Sequence, residues 1–150
     1  MTLSSVPPFL GREPNEPHRP AVAARRAKLC TVTPEPRTTT VNGVELAYLE
    51  QGEGPLALCL HGFPDTAWTW RHLLPRLADA GFRAVAPFNR GYAPSGLAPD
   101  AVYQAGALAA DANVLHELLG GDGDAVIVGH DWGAVATYGA AGSAPERWAR

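Results

Sequence analysis

From Thr38 onward, short apolar runs alternate with helical stripes. The stretch TTTVNGVELAYLEQG sets two β-rich runs around Asn42-Gly43, which predicts a hairpin. PLALCLHG is a continuous apolar run ending in glycine, the pattern of a strand buried on both faces. In the next segment Trp70, Leu73, Leu74, Leu77 and Ala78 fall at helical spacing, and Gly81 follows as a stop. Pro75 interrupts this stripe, so the helix either kinks there or begins there. FRAVAP reads as a strand and NRGYAPSGLAPD as a loop. A second helix is predicted from about Tyr103 to Leu119, with Leu108, Ala112, Leu115 and Leu119 on one stripe and Gly120-Gly121 ending it. DAVIVGH reads as a third buried strand, and GAVATYGAAG opens a third helix. Strands alternating with amphipathic helices predict an α/β fold: a mostly parallel sheet with helices on both faces. In such sheets sites gather at the carboxyl ends of the strands. Three turns fall there: HGFPDTAW, NRGYAPSG and GHDWG.

Residues 1–37 have a different composition. Prolines recur, large apolar residues are few, and the segment is expected to be a disordered tail. Its basic cluster Arg25-Arg26-Ala27-Lys28 is read as solvated, because Glu13, Glu16 and Glu35 stand nearby. Over the 150 residues the formal net charge is -3 and the 12 basic residues are scattered. Nothing in that balance points to nucleic acid or an anionic membrane as a partner. No apolar run approaches the roughly 18 residues of a membrane span. The N-terminus lacks the apolar core of a secretory signal. The two cysteines, Cys30 and Cys59, make no disulfide framework, and Cys59 reads as a small buried residue. A reduced, cytoplasmic setting is expected. No cofactor or metal is implied: the His and Asp residues lack ligand spacing, and no phosphate-cradling glycine loop is present.

The chemistry-bearing stretch is VGHDWGAVA. Small residues at Gly129 and Gly133 permit a sharp strand-to-helix turn that lifts Asp131 out of the sheet. The following helix aims backbone N–H groups at that carboxylate and favours its charge. Such a carboxylate is suited to attack an electrophilic carbon and form an ester. Water must then attack the ester carbonyl, and the oxyanion that forms needs donors beside it. The Trp132 N–H is the natural first donor. The second is expected from the turn His61-Gly62-Phe63-Pro64, at the Phe63 N–H.

LHGFPDTAWTWR, APFNRGYAPSG and VGHDWGAVA together resemble the α/β-hydrolase superfamily, and within it the epoxide hydrolases and their dehalogenase relatives. The resemblance runs from about Thr38 to Arg150 and identifies residues 38–150 as the N-terminal half of a hydrolase core. It implies Asp131 as nucleophile, the Phe63 and Trp132 N–H groups as the oxyanion hole, and His61, Gly62, Pro64, Gly129, His130 and Gly133 as the supporting turns. It implies a small apolar epoxide as substrate, or a halide-bearing one. Haloalkane dehalogenases usually carry asparagine where Phe63 stands, and haloacetate enzymes arginine where Trp132 stands, so the pair favours the epoxide branch. The superfamily also has a catalytic acid and histidine after later strands, and a cap. The chain stops at Arg150 and is therefore expected to be an incomplete, inactive fragment. None of its five histidines matches the missing base. Many relatives have aspartate where Phe88 sits, which bears on how Arg90 is held.

Plainer readings stand beside these. Asp131 also fits a helix N-cap. His61 reads as a turn residue, Trp68 and Trp70 as packing, Arg90 as structural, and Tyr92 and Tyr103 as loop and packing residues. His130 either lines a pocket or shapes the backbone. Three functions remain: epoxide opening, dehalogenation through the same aspartyl ester, and a hydrolase fold reused as a non-catalytic ligand-binding module. Oligomeric state is not legible.

Overall fold

The computed structural model describes residues 34–149. The basic cluster, Cys30 and His18 lie outside the described residues, as does the expected tail up to residue 33. Five strands form one sheet: β1 (Arg37–Val41), β2 (Val44–Gln51), β3 (Leu56–Leu60), β4 (Arg83–Pro87) and β5 (Val126–Gly129). Its order is β1-β2-β4-β3-β5. The first strand begins one residue before Thr38, because Arg37 already pairs with Tyr48.

The hairpin forms as its sequence predicts. Asn42 and Gly43 both take positive φ, +47° and +78°, as a turn that follows the right-handed strand twist requires. The sheet is mixed, in keeping with the mostly parallel sheet and the hairpin that the sequence predicts. β3 runs parallel to β4 and to β5, but β2 is antiparallel to both β1 and β4. A tight hairpin can join only antiparallel neighbours, so the amino-terminal strands flank a parallel unit of three.

Alternation along the strands builds two cores. Val44, Leu46, Tyr48, Leu56, Leu58 and Leu60 face one side, against α2 (Ala105–Leu118) and α3 (Trp132–Ser143). Ala47, Leu49, Cys59, Ala84 and Ala86 face the other, with Leu74 of α1 (Leu74–Asp79) and Phe88. Helices therefore cover both faces of the sheet.

The helical stripe from Trp70 to Ala78 is not one helix. A 3₁₀ segment, Ala67–His72, starts behind Thr66, whose hydroxyl caps the Trp68 N–H. A new helix then begins with Pro75 in its first turn, where the missing N–H costs nothing. Gly81, at φ +90°, ends it. α2 starts at Ala105 rather than near Tyr103. The Tyr103 hydroxyl instead accepts the Ala98 N–H at 3.0 Å, which holds Tyr103 in the loop. Trp68 packs edge-on to Phe88, and Trp70 joins the same core, as their packing reading requires.

Candidate active site

β5 ends at Gly129 and α3 begins at Trp132, so the chain turns within His130 and Asp131. Asp131 takes φ +54° and ψ -122°, a region that L-residues rarely occupy and that costs about 1–3 kcal/mol. Close packing enforces the turn. A Cβ at Gly133 would overlap the Leu60 carbonyl, and one at Gly129 would overlap the Gly133 carbonyl. Gly62 has the same relation to Asp131, since a Cβ there would strike the carboxylate itself. The three small residues let two strand ends and one helix start meet at a single point.

Asp131 occupies the cap position of α3, but its side chain makes no capping bond to the helix interior. Its Oδ1 accepts the Phe63 N–H at 2.9 Å, across 68 residues of chain. The Trp132 backbone N–H, next in the chain, also acts on this carboxylate. These two donors, Phe63 first, pull the Asp131 pKa below the ordinary carboxylate value; the nearby His130 adds to the effect. The carboxylate is exposed and ionised at neutral pH. The structure thus brings together Asp131, Phe63, Trp132, Gly62, Gly129 and Gly133. Pro64 follows Phe63 and is exposed, and the His130 side chain is exposed too.

The turn after β3 is fixed from below by His61, which is fully buried. Its Nδ1–H donates to the Gly62 carbonyl at 2.9 Å, and its Nε2 accepts the Asn89 N–H at 3.0 Å. That pattern sets the neutral tautomer. Burial lowers the His61 pKa, against smaller raising effects from the Gly62 carbonyl and Asp65. Tyr92 meets the imidazole edge-on at 4.8 Å. Asn89 closes the clasp: its Nδ2 donates to the His61 carbonyl at 2.8 Å. Asp65, beyond the turn, is pulled low by the Thr69 hydroxyl and by the Thr66 N–H.

Arg90 is structural. Its Nε and Nη2 grip Asp111 at 2.7 and 2.6 Å, and its Nη1 donates to the Val102 carbonyl at 2.9 Å. Asn42 Nδ2 adds a further bond to Asp111 Oδ1 at 2.8 Å. Phe88 therefore does not leave Arg90 unpaired, because an acid from α2 holds it. Phe88 itself is buried in the core beside Trp68.

A cleft of about 640 Å³ opens beside Phe63 and Trp132. Asn89, Tyr92, Leu97 and Tyr103 contribute to its walls. Sequence reasoning placed Tyr92 and Tyr103 in loop and packing roles and did not name Asn89 or Leu97. No periodic signal marks an irregular loop residue as cleft-lining. Of the histidines, His116 is buried on α2 against Trp148, and His72 is exposed on the 3₁₀ segment. Among the described residues no His/Cys/Asp/Glu group could hold a metal ion, and no helix is long and apolar enough to cross a membrane. Cys59 is a small core residue, its thiol pushed up to about 12 by burial.

A two-sided sheet with a strained aspartate elbow facing a second turn defines a class, and residues 55–147 match its family model: the chain belongs to the alpha/beta hydrolase fold family. Within that family it is similar to epoxide hydrolases. It is 42% identical over 112 residues to an epoxide hydrolase of Caballeronia sordidicola, covering 71% of this chain and 32% of that protein. It is 44% identical over 111 residues to epoxide hydrolase A of Mycobacterium tuberculosis, covering 71% of this chain and 34% of that one. The solved structure of an epoxide hydrolase from Vigna radiata superposes with a TM-score of 0.71 at 39% identity, over 76% of this chain and 36% of that one. The match thus spans about a third of each relative's length.

Proposed function

We propose that this chain carries the ester-forming half of an epoxide hydrolase. Asp131 Oδ1 accepts the Phe63 N–H, which leaves Oδ2 as the attacking oxygen, and the adjacent Trp132 N–H is the second donor. Oδ2 bonds to an epoxide carbon, the ring C–O bond breaks, and the ring oxygen takes a proton from solvent. The product is a hydroxyalkyl ester whose carbonyl oxygen is Oδ1, still held by the Phe63 N–H with the Trp132 N–H beside it. When water adds to that carbonyl, the negative charge develops on Oδ1, where the donors already stand. The hydrogen bond from Phe63 N–H to Asp131, 2.9 Å long, carries the reading, because a plain helix cap has no use for it.

Hydrolysis of the ester also needs a base, typically worth about 10²–10⁴-fold. Both ring nitrogens of His61 are engaged, and His116 is packed into the core. Among the described residues, no histidine side chain hydrogen-bonds Asp131. Without a base supplied from elsewhere, the ester on Asp131 is expected to form and persist.

The test incubates the chain with styrene oxide and maps the adduct by mass spectrometry. A hydroxyalkyl ester on the peptide carrying Asp131, absent from Asp131→Ala, supports the reading. Diol formation without any ester, or an unchanged adduct in Asp131→Ala, sinks it. Repeated turnover with an intermediate ester would show that His130 or another group serves as base. Chloroalkanes are expected to release little chloride, since the residue at position 63 offers only its backbone N–H to the site.

A further inference from the structure

Asn89 has a hydrogen-bonding group that the mechanism does not use. The residue is 6% exposed and lies in the cleft wall. Its backbone N–H goes to His61 Nε2 and its Nδ2 to the His61 carbonyl. The His61 carbonyl can accept only from the amide nitrogen and not from Oδ1, so the second bond fixes which way the amide faces. Oδ1 must then point away from His61. Among the described residues Oδ1 has no partner, and it is not among the side-chain atoms sealed from solvent without one. A buried amide therefore presents its acceptor to the cleft. Around it the walls are largely apolar: Phe63, Tyr92, Leu97, Tyr103 and Trp132. The Arg90 guanidinium, next in sequence, is occupied by Asp111 and Val102.

In the open cleft, water can satisfy this oxygen. An apolar substituent that covers it displaces the water and leaves a desolvated acceptor unpaired, which is unfavourable. A ligand that brings its own donor avoids that loss. We infer that Asn89 is a specificity-determining residue, and that the cleft selects epoxides whose apolar substituent carries a hydroxyl group for Asn89 Oδ1 to accept. The reactive half of this statement rests on the proposed epoxide chemistry; the recognition half does not.

Two ligand pairs test the two halves separately. The unreactive pair is phenylpropanol and propylbenzene, titrated by NMR into the full chain and into Asn89→Leu. The alcohol-to-hydrocarbon affinity ratio is expected to be about tenfold higher in the wild type than in Asn89→Leu, the worth of one neutral hydrogen bond. In the wild type, the carbon resonance of the Asn89 side-chain carbonyl is expected to move with the alcohol and not with the hydrocarbon. That reading stands even if the variant fails to fold. An equal ratio in both proteins, or a carbonyl resonance indifferent to the alcohol, overturns the inference. The reactive pair is phenylglycidol and β-methylstyrene oxide, scored by ester formation on Asp131, with the same tenfold bias expected. Alcohol preference without any ester removes the epoxide chemistry and leaves Asn89's recognition role; ester formation without hydroxyl preference does the reverse.

Discussion

The Arg90–Asp111 pair gives the most quantitative prediction. Asp111 accepts two bonds from the guanidinium, at 2.7 and 2.6 Å, and one from Asn42 at 2.8 Å. Both side chains are nearly enclosed, at 3% and 5% exposure. Asp111→Ala leaves a buried cation with the Val102 carbonyl and, 4.0 Å away, the exposed carboxylate of Asp100. Breaking a buried pair from one side typically costs about 3–5 kcal/mol. The Asp100 carboxylate can move closer, which sets the expectation at about 3 kcal/mol. That is a large share of the roughly 5–15 kcal/mol that a domain has in total. In urea, with a slope of about 1.5 kcal/mol per M, the midpoint should fall by about 2 M. The double variant Arg90→Met/Asp111→Leu removes both charges and should recover about a third of that loss. It will not recover everything, because Asn42 and Val102 lose partners worth about 1 kcal/mol each. A midpoint change under about 0.5 M in Asp111→Ala would refute the reasoning. So would a double variant no more stable than the single one, since the cost would then lie in packing and not in a stranded charge.

Two further outcomes are expected at the elbow. Gly62→Ala places a methyl group where the Asp131 carboxylate lies, so ester formation should fall about 10²–10³-fold while the circular dichroism spectrum is retained; an unchanged rate would mean that the carboxylate does not work from its resting position. Because the Phe63 and Trp132 N–H groups lower the Asp131 pKa, the ionised form persists below the ordinary carboxylate value of about 3.9. The initial rate of ester formation, followed by mass spectrometry, should therefore stay level as pH falls from 7 to about 4 and drop only below that; a decline centred above pH 5 contradicts the hydrogen-bonded carboxylate.

Much of this fold is legible in the chain because its signals are local. Asn42-Gly43 between alternating runs specifies a hairpin whatever surrounds it. LALCL is apolar at every position because both of its faces are covered. Gly129 and Gly133 announce the elbow, since nothing larger fits between helix and strand. What escaped the reading depends on distant partners. The stripe from Trp70 to Ala78 keeps helical spacing across a 3₁₀-to-α junction, and spacing alone does not register the break at Leu73. Sheet order is a matter of pairing across the chain, so the antiparallel contact between β2 and β4 leaves no local trace. Asp111 sits on a helix stripe like any surface acid until the loop after β4 folds Arg90 onto it. Asn89 resembles any polar loop residue until His61 engages its backbone N–H and its Nδ2.

The resting contact between Asp131 and its two donors has a consequence for competition. A cluster of N–H groups at a helix start would ordinarily attract whatever anion the solution offers. Here the carboxylate is tethered to the same backbone, and its effective concentration far exceeds that of any dissolved rival; well-oriented intramolecular groups reach about 10⁵–10⁸ M. Chloride, acetate or phosphate at ordinary buffer strength must displace a ligand that cannot diffuse away. The site is in this sense self-occluded: tolerant of its ionic surroundings, and opened to outside chemistry only from the carboxylate oxygen that Phe63 does not hold.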